Sequence, residues 1–420
     1  MGWQLATVGL ALLLVAAISR QLSATPVTPP MVMVAIGVLA GPLVLDDITV
    51  GPTSGTVRTL AEATLAVVLF SDSSRIDLRA LRREISMPVR LLGVGLPLTI
   101  AAGTLVAAAL FGSFSLSEAL ILSVILAPTD AGLGATVVTD ARLPQRVRQS
   151  LNVESGLNDG ICVPILLIVL ATASGGGVAP HPQEVLAEEI GYGLLGGAAA
   201  GLLAGARQLI DDVWRPIIPV AAAVLAFGSA EGLGGSGFIA AFVAGITYGL
   251  LARREAAGTM GFIEDAGALL GGVTFLVFGA VLLGPTLEHV SWQVVIYALL
   301  SLTVVRMLPV AISLWGSHAR APTVLFMGWF GPRGLASIVF AVVVEDTHQA
   351  HSSTILTATY LTVGLSVLLH GLSASPLVSR YAAWYAASAT KRRPTMESEP
   401  AHQHRTRRLA AVPEALFTAR

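Results

Sequence analysis

Residues 126–134 read LAPTDAGLG and residues 329–334 read WFGPRG, and these two stretches decide the fold. Each one interrupts an apolar segment with Pro and Gly, and each carries one charge at the interruption, Asp130 in the first and Arg333 in the second. Proline removes a helix hydrogen bond and glycine tolerates unwound backbone. In lipid such a break is stable only where the freed backbone groups face protein or a water-filled cavity. The two stretches therefore predict a pair of broken membrane helices whose breaks lie inside the protein.

The composition of the whole chain also indicates a membrane protein. Of its 420 residues, 54% are hydrophobic and 12% are charged, whereas an average soluble domain carries about 25% charged residues. The formal net charge of −1 excludes the highly charged class of disordered chains, and without a basic patch nucleic-acid binding is not expected. The single cysteine, Cys162, excludes a disulfide framework and is expected to be a packing residue.

Apolar segments with the length of a membrane helix, about 20 residues, recur along the chain. We place them at residues 2–19, 30–47, 57–72, 88–112, 117–138, 151–173, 189–206, 215–230, 236–252, 265–284, 292–315, 322–344 and 353–373. An odd linker between two sets of six makes the second set enter the membrane from the opposite side, which is the inverted-repeat plan of many secondary transporters. The predicted fold class is therefore an all-α polytopic membrane protein of about 13 transmembrane helices, in two inverted six-helix repeats joined by a linker helix. The interrupted helices are the fifth and the twelfth, which are counterparts in this plan.

The arginines between these segments predict the orientation. Four arginines lie in loop 73–87 and three in loop 139–150, and further basic residues lie at 253–254 and in the tail. All of them fall on one side if the segment count is right, and Lys and Arg favour the cytoplasmic side. We expect a multi-pass protein of the cell inner (plasma) membrane, with its N-terminus outside and its C-terminus in the cytoplasm. Residues 1–376 would form the transmembrane domain, and residues 377–420 a flexible cytoplasmic tail.

The densest group of intramembrane polar residues is residues 152–160, which read NVESGLNDG. A charge at mid-bilayer costs about 2.5–3.5 kcal/mol, so each one is a candidate for function. Helical spacing puts Ser155, Asn158 and Asp159 on one face. Carboxylate and hydroxyl oxygens are ligands that a hard cation such as Na⁺ prefers, and no His or Cys joins them, which disfavours a transition metal.

These residues carry a resemblance to a known family. With Glu154-Ser155 before Asn158-Asp159, residues 128–130 (PTD) upstream and residues 331–334 (GPRG) downstream, the chain resembles the monovalent cation:proton antiporter-1 family. That group contains bacterial and archaeal Na⁺/H⁺ antiporters and is related to animal sodium/proton exchangers. The resemblance covers residues 10–375 and implies a homodimeric secondary transporter, not an enzyme, that exchanges Na⁺ or Li⁺ for H⁺ and uses no cofactor.

The resemblance also implies roles for the residues of the site. Asp159 would bind H⁺ and the cation alternately. Asn158 stands where electrogenic relatives have a second Asp, which favours electroneutral exchange of one H⁺ for one cation. Thr129, Asp130 and Ser155 would complete the coordination of Na⁺ around Asp159.

Three further charged residues are implied to form buried ion pairs. Glu154 would pair with Arg333, and Arg306 would face Asp130. One position departs from the family pattern, because many members place an acidic residue directly after a Phe near the end of the third segment. In residues 70–72 (FSD) the acid comes one residue later, so Asp72 is at most an accessory residue.

Other functions remain as alternatives. A K⁺/H⁺ antiporter of the same architecture stays open, because selectivity depends on cavity size. An intramembrane aspartyl protease would need two aspartates that share a proton, and the context of Asp159 does not resemble its signature. A passive cation channel would not need an ionisable ligand. His370, near the end of the last segment, is expected at the membrane interface.

Overall fold

The computed structural model is helical throughout the residues that it describes, with short connections between the helices. These residues are 2–22, 25–45, 48, 55–76, 86–173, 182–205, 211, 213–252, 256–345, 347, 349–389 and 397. Several stretches that carried the orientation argument, residues 77–85, 253–255, 390–396 and 398–420, lie outside this described part.

The first half of the chain forms six helical segments. They are α1 (Gly2–Leu22), α2 (Pro29–Ala40), α3 (Gly55–Ser74), α4 (Ser86–Leu110, with a π turn at Leu91–Gly95), α5 in two halves (α5a, Leu116–Ile125, and α5b, Ala135–Thr139) and α6 (Gln145–Ala173). A single helix, α7 (Pro182–Gly205), follows them and stands at the place of the predicted linker.

The second half repeats the number of segments and the position of the break. Its helices are α8 (Ile218–Gly232), α9 (Gly237–Leu251), α10 (Ala256–Val277, continued by a π turn at Phe278–Leu283), α11 in two halves (α11a, Trp292–Leu302, and α11b, Val304–Ser313), α12 in two halves (α12a, Ala321–Trp329, and α12b, Leu335–Glu345) and α13 (Ser352–Ala389). Both α5 and α12 are broken at the Pro and Gly residues that predicted the breaks.

The predicted fold class is confirmed. In the described part of the chain each predicted segment coincides with a helix or a pair of half-helices. Among the described residues, six helices are long and apolar enough to cross a membrane by length and composition, and further apolar helices of 10–17 residues accompany them. The shorter ones include α5a and α12b, whose spans are completed by the unwound residues between their halves.

The last helix corrects the predicted start of the tail. Helix α13 does not end near residue 376 but continues through Pro376 to Ala389. Val378 and Tyr381 are 1% and 4% exposed, because they pack in an apolar cluster with α12a. The predicted boundary at 376/377 therefore lies within α13, and residues 377–389 are helical. The sequence did not indicate this end of the helix, because Val378 and Tyr381 are buried by contact with α12a.

One residue beyond α13 is also in contact with the helical domain. Glu397 is 3% exposed, and its Oε1 accepts hydrogen bonds from Arg320 N at 2.9 Å and Thr323 Oγ1 at 2.6 Å. These two donors lie at the start of α12a, where a helix leaves backbone N–H groups unpaired and favours a negative charge. Glu397 thus connects residues that follow α13 with the first turn of the broken helix.

Helix α6, which carries the NVESGLNDG stretch, is central because it packs on α5a on one side and on α3 and α9 on another. Close contact with α9 occurs at Gly160, where a Cβ atom would lie only 2.5 Å from Phe242 Cδ2. Small residues of this kind let membrane helices approach closely. The polar face of α6 is thereby held against the break of α5.

Candidate functional site

The break in α5 exposes backbone carbonyls at the end of α5a, and residues of α12 supply their hydrogen bonds. Arg333 Nη1 donates to Ala127 O at 2.5 Å and to Pro128 O at 3.0 Å, and Ser337 Oγ donates to Ile125 O at 2.7 Å. Arg333 is fully buried. Because the C-terminal end of a helix carries a partial negative charge, a cation at this point is stabilised.

The opposite arrangement holds at the start of α12b. Asp130 Oδ2 accepts from Leu335 N at 3.1 Å, while Asp130 Oδ1 accepts from Gly132 N at 2.6 Å. The Asp130 backbone N–H donates to Pro332 O at 2.8 Å. An anion at a helix N-terminus is stabilised by the unpaired N–H groups and by the helix dipole. The two breaks therefore cross, and each one supplies the charge that the end of the other helix requires.

Two glycines allow this crossing. A Cβ atom at Gly331 would overlap the Arg306 guanidinium, and one at Gly334 would overlap the Asp130 carboxylate. Both contacts are with charged groups that are held by other hydrogen bonds. The glycines in the GPRG stretch thus serve the close approach of two charged side chains to unwound backbone.

The structure corrects the predicted ion pairs. Glu154 Oε1 and Oε2 accept hydrogen bonds from Arg306 Nη1 at 2.5 Å and Nη2 at 2.9 Å, and both residues are buried. The predicted pairs Glu154–Arg333 and Arg306–Asp130 were wrong. Helical spacing places Glu154 on a face of α6, but it does not say which of two arginines on other helices meets that face. Arg333 is instead taken up by the carbonyls of the α5 break.

Three of the predicted cation-binding residues, Thr129, Ser155 and Asn158, are in contact. Thr129 Oγ1 is 3.0 Å from Ser155 Oγ and accepts a hydrogen bond from Asn158 Nδ2 at 2.7 Å. Thr129 and Asn158 are each 1% exposed, and Ser155 and Asp159 are each 8% exposed. Asp159 follows Asn158 on α6, one turn from Ser155. The result is a buried group of hydroxyl, amide and carboxyl side chains beside unwound backbone. We call these four residues the α5–α6 cluster.

Asp130 has a different environment from this cluster. Its two carboxylate oxygens accept the hydrogen bonds from Gly132 and Leu335 described above, and Oδ1 also accepts from Leu133 N at 3.3 Å. These bonds give Asp130 a helix-capping role. Coordination of Na⁺ by Asp130 stays a prediction, and its hydrogen bonds do not favour it.

Asp72 lies across from the cluster on α3. A Cβ atom at Gly156 of α6 would be 3.8 Å from Asp72 Cβ, so Asp72 is at the contact of these two helices. Its Oδ1 is 3.9 Å from Arg75 Nη1, and Arg75 Nη2 is 2.8 Å from Glu264 Oε1 on α10. Asp72, predicted to be an accessory residue, thus lies next to α6, and its carboxylate is 3.9 Å from the buried Arg75.

Two residues of α13 were missed as part of the broken-helix region. Ser366 is fully buried and accepts a hydrogen bond from Arg333 N at 2.6 Å. His370, expected at the interface, is 2% exposed, and its Nε2 is 2.9 Å from Trp329 O. One signal could have found them: Ser366 and His370 have the same four-residue spacing on the last segment as Ser155 and Asp159 on the sixth.

A helical membrane protein in which two broken helices cross beside a buried carboxylate has the architecture of a secondary transporter. The model of the sodium/hydrogen exchanger transmembrane family matches residues 9–380. The chain therefore belongs to the sodium/hydrogen exchanger family.

Individual relatives and solved structures agree with this placement. A K⁺/H⁺ antiporter NhaP from Alkalimonas amylolytica is 26% identical over 363 residues, which cover 83% of this chain and 61% of the relative. A Na⁺/H⁺ antiporter from Schizosaccharomyces pombe is 26% identical over 267 residues, 56% of each chain. The sodium proton antiporter MjNhaP1 from Methanocaldococcus jannaschii, solved at pH 8, superposes with a TM-score of 0.74 at 21% identity, over 90% of this chain and 98% of that one. The present chain thus spans about 61% of the length of the first of these relatives.

Proposed function

We propose that this chain is a secondary active antiporter that exchanges a monovalent cation, Na⁺ or Li⁺, for H⁺ by alternating access. The observation that carries the proposal is the α5–α6 cluster, in which Thr129 contacts Ser155 and Asn158 and the buried Asp159 follows Ser155 by one turn of α6. Membership of the sodium/hydrogen exchanger family supports it. A burial of this kind is costly for a lone charge, so a carboxylate here is expected to bind a positive ion.

The proposed mechanism rests on competition at Asp159. A proton and a hard cation both require the same carboxylate oxygens, and the loaded site is neutral with either one. The empty, charged site is costlier to move past an apolar barrier, so the unloaded carrier does not cross and exchange is obligatory. Asn158 cannot titrate, and its Nδ2 is engaged with Thr129. We therefore propose that one H⁺ exchanges for one cation without net charge movement.

Alternating access would be a movement of α5, α6 and α12 against α3 and α9. The hydrogen bonds between the two breaks support a joint movement, since Arg333 and Asp130 hold α5 and α12 to each other. Helix α6 meets α3 at Gly156 and α9 at Gly160, and small residues at these points let the helices approach closely.

A K⁺/H⁺ antiporter is the second candidate. It is favoured by the relative from Alkalimonas amylolytica, which covers 83% of this chain and is named for K⁺/H⁺ antiport. The relative from Schizosaccharomyces pombe is named for Na⁺/H⁺ antiport over a shorter match. Ion size decides between the two, and the side chains of the cluster suit either ion.

The test is proton flux in liposomes that contain the purified chain, with Na⁺, Li⁺ and K⁺ supplied in turn and with the membrane potential clamped or free. We expect exchange with Na⁺ and Li⁺ that does not change with the potential. Asp159→Asn should fold and lose exchange. Cys162→Ala, a buried change three residues further on α6, should retain it. Normal exchange by Asp159→Asn would refute the assignment, and exchange with K⁺ alone would select the second candidate.

We further propose that the N-terminus lies outside, that the C-terminus lies in the cytoplasm of a bacterial-type plasma membrane, and that two copies form a homodimer. The arginine distribution supports the orientation, and the family resemblance supports the dimer. Labelling of single cysteines from either side of the membrane tests the orientation. The mass of the detergent-solubilised particle tests the dimer.

A further inference from the structure

The break in α12 raises the same question as the break in α5: where its freed backbone groups find hydrogen bonds. Helix α12a ends at Trp329 and α12b begins at Leu335. A buried backbone donor or acceptor without a partner is costly, so native structures rarely leave one. Asp130 of the α5 break accepts a hydrogen bond from Leu335 N at the start of α12b. The Trp329 carbonyl and the Arg333 N–H instead face α13.

Two side chains of α13 meet these two groups. Ser366 Oγ accepts the Arg333 N–H at 2.6 Å, and His370 Nε2 is 2.9 Å from Trp329 O, which also accepts from Gly331 N at 2.8 Å. His370 Nδ1 is 3.3 Å from Ser366 Oγ and 3.0 Å from Ser366 O. The imidazole also stacks on the Trp329 ring, with ring centroids 4.9 Å apart. We call Ser366 and His370 the α13 bracket.

Each nitrogen of the imidazole faces a carbonyl oxygen that can only accept, Trp329 O at Nε2 and Ser366 O at Nδ1. With its hydrogen on Nε2, the neutral ring donates to Trp329 O, and Nδ1 accepts from the Ser366 hydroxyl. The Ser366 oxygen in turn accepts from Arg333 N. Hydrogen bonds through Ser366 and His370 thus connect Arg333, just before α12b, with Trp329 at the end of α12a. A charged ring is disfavoured here, because His370 is 2% exposed and Arg333 lies on the same run.

The α13 bracket has a counterpart in the first repeat. There Ser155 and Asn158 of α6 hydrogen-bond to Thr129 at the break of α5, and Asp159 follows Ser155 by four residues. In the second repeat His370 follows Ser366 by four residues. One break is bordered by a carboxylic acid that can exchange its proton for a cation. The other is bordered by an imidazole whose two nitrogens are engaged in the bracket.

We propose that Ser366 and His370 are positioning residues for transport, and this inference rests on the proposed antiport. They hold the break of α12 at a fixed width, so that the Arg333 side chain reaches Ala127 O and Pro128 O. Those carbonyls belong to the two residues directly before Thr129. The bracket therefore sets the position of Thr129 in the α5–α6 cluster without contact with the transported ion.

The experiment measures exchange in liposomes as a function of cation concentration and pH, with the full chain and the variants His370→Ala, His370→Gln and Ser366→Ala. Loss of the Trp329 hydrogen bond should raise the KM for the cation in His370→Ala by about tenfold, the factor expected for one buried hydrogen bond. Ser366→Ala should raise it similarly. Gln retains an N–H donor, so His370→Gln should lie within about threefold of the unmodified chain. The pH at half-maximal exchange should be the same in His370→Gln and the unmodified chain. His289→Ala, a change at an exposed histidine, is the matched control and should leave the KM unaltered.

The outcomes separate this inference from the proposed function. If the unmodified chain exchanges, Asp159→Asn does not, and His370→Ala has an unaltered KM, the bracket is overturned while antiport stands. If His370→Gln fails to restore the KM and shifts the pH profile, His370 acts by titrating and the positioning role is equally overturned. If the unmodified chain exchanges no cation, antiport itself fails. Should His370→Ala not fold, the KM values of His370→Gln and Ser366→Ala decide the same question.

Discussion

Glu154 and Arg306 form a two-pronged ion pair between α6 and α11b, with Oε1–Nη1 and Oε2–Nη2 distances of 2.5 and 2.9 Å. Both side chains are nearly inaccessible, at 3% and 4% exposure. Breaking a buried pair by removal of one partner leaves an uncompensated charge and costs about 3–5 kcal/mol. The pair therefore ties the helix that carries Asp159 to the second repeat.

Glu154→Gln should lower stability by roughly that amount, because it leaves Arg306 without its carboxylate. The measurement is thermal unfolding in detergent. Glu62→Gln is the matched control, since its partner Arg58 is 44% exposed and an exposed pair contributes about 0–1 kcal/mol. Equal melting temperatures of the two variants would show that the buried Glu154–Arg306 pair contributes no more to stability than the exposed Arg58–Glu62 pair.

Thr129→Val should weaken cation binding. The change removes the hydroxyl that accepts from Asn158 Nδ2 and meets Ser155 Oγ, and a buried donor left unpaired costs about 1–3 kcal/mol. We expect the cation KM to rise, while Thr129→Ser, which keeps the hydroxyl, should restore it. A KM of Thr129→Val that equals that of the unmodified chain would remove Thr129 from the site.

Gly334→Ala should destabilise the protein and abolish exchange, because the added Cβ would overlap the Asp130 carboxylate at the crossing of the breaks. Gly228→Ala in α8 is the control. Its Cβ would have no atom within 4 Å, so the change should be neutral or stabilising by about 0.5–1 kcal/mol. Melting curves and exchange rates of both variants measure the difference. Full activity of Gly334→Ala would mean that the two breaks are not held as closely as described.

Gly160→Ala should slow exchange. Its Cβ would lie 2.5 Å from Phe242 Cδ2 on α9, and this overlap would hinder the proposed movement of α6 against α9. The double variant Gly160→Ala with Phe242→Ala should recover part of the rate, because the overlapping ring is gone. A double-mutant cycle on exchange rates measures this coupling. Additive effects of the two changes would separate the Gly160–Phe242 contact from transport.

The apparent KM for the cation should rise as the pH falls, by up to about tenfold per pH unit in the range where Asp159 binds a proton. The reason is that a proton and the cation occupy the same carboxylate. The maximal rate at saturating cation should change much less than the KM. Exchange assays at a series of pH values measure both quantities, and a fall in maximal rate at constant KM would show that the two ions do not compete.

Much of the architecture could be predicted from local sequence. Membrane helices appear as apolar runs, and the breaks in α5 and α12 appear as Pro and Gly within such runs, so both were found at their correct positions. The grouping of Ser155, Asn158 and Asp159 followed from helical spacing alone. Where α13 ends was missed, because Tyr381 and its neighbours are buried by α12a and not by any property of their own segment.

The sequence by itself determined that two interrupted helices cross a membrane and that an acid, an amide and a hydroxyl share one face of α6. Both follow from spacing along a single segment, which the covalent chain sets directly. Only the tertiary structure decided that Arg306 pairs with Glu154, that Arg333 and Asp130 each serve the other's broken helix, and that His370 is inside the protein. Those partners depend on the angle and depth at which separate helices meet, and the packing of the whole bundle sets these.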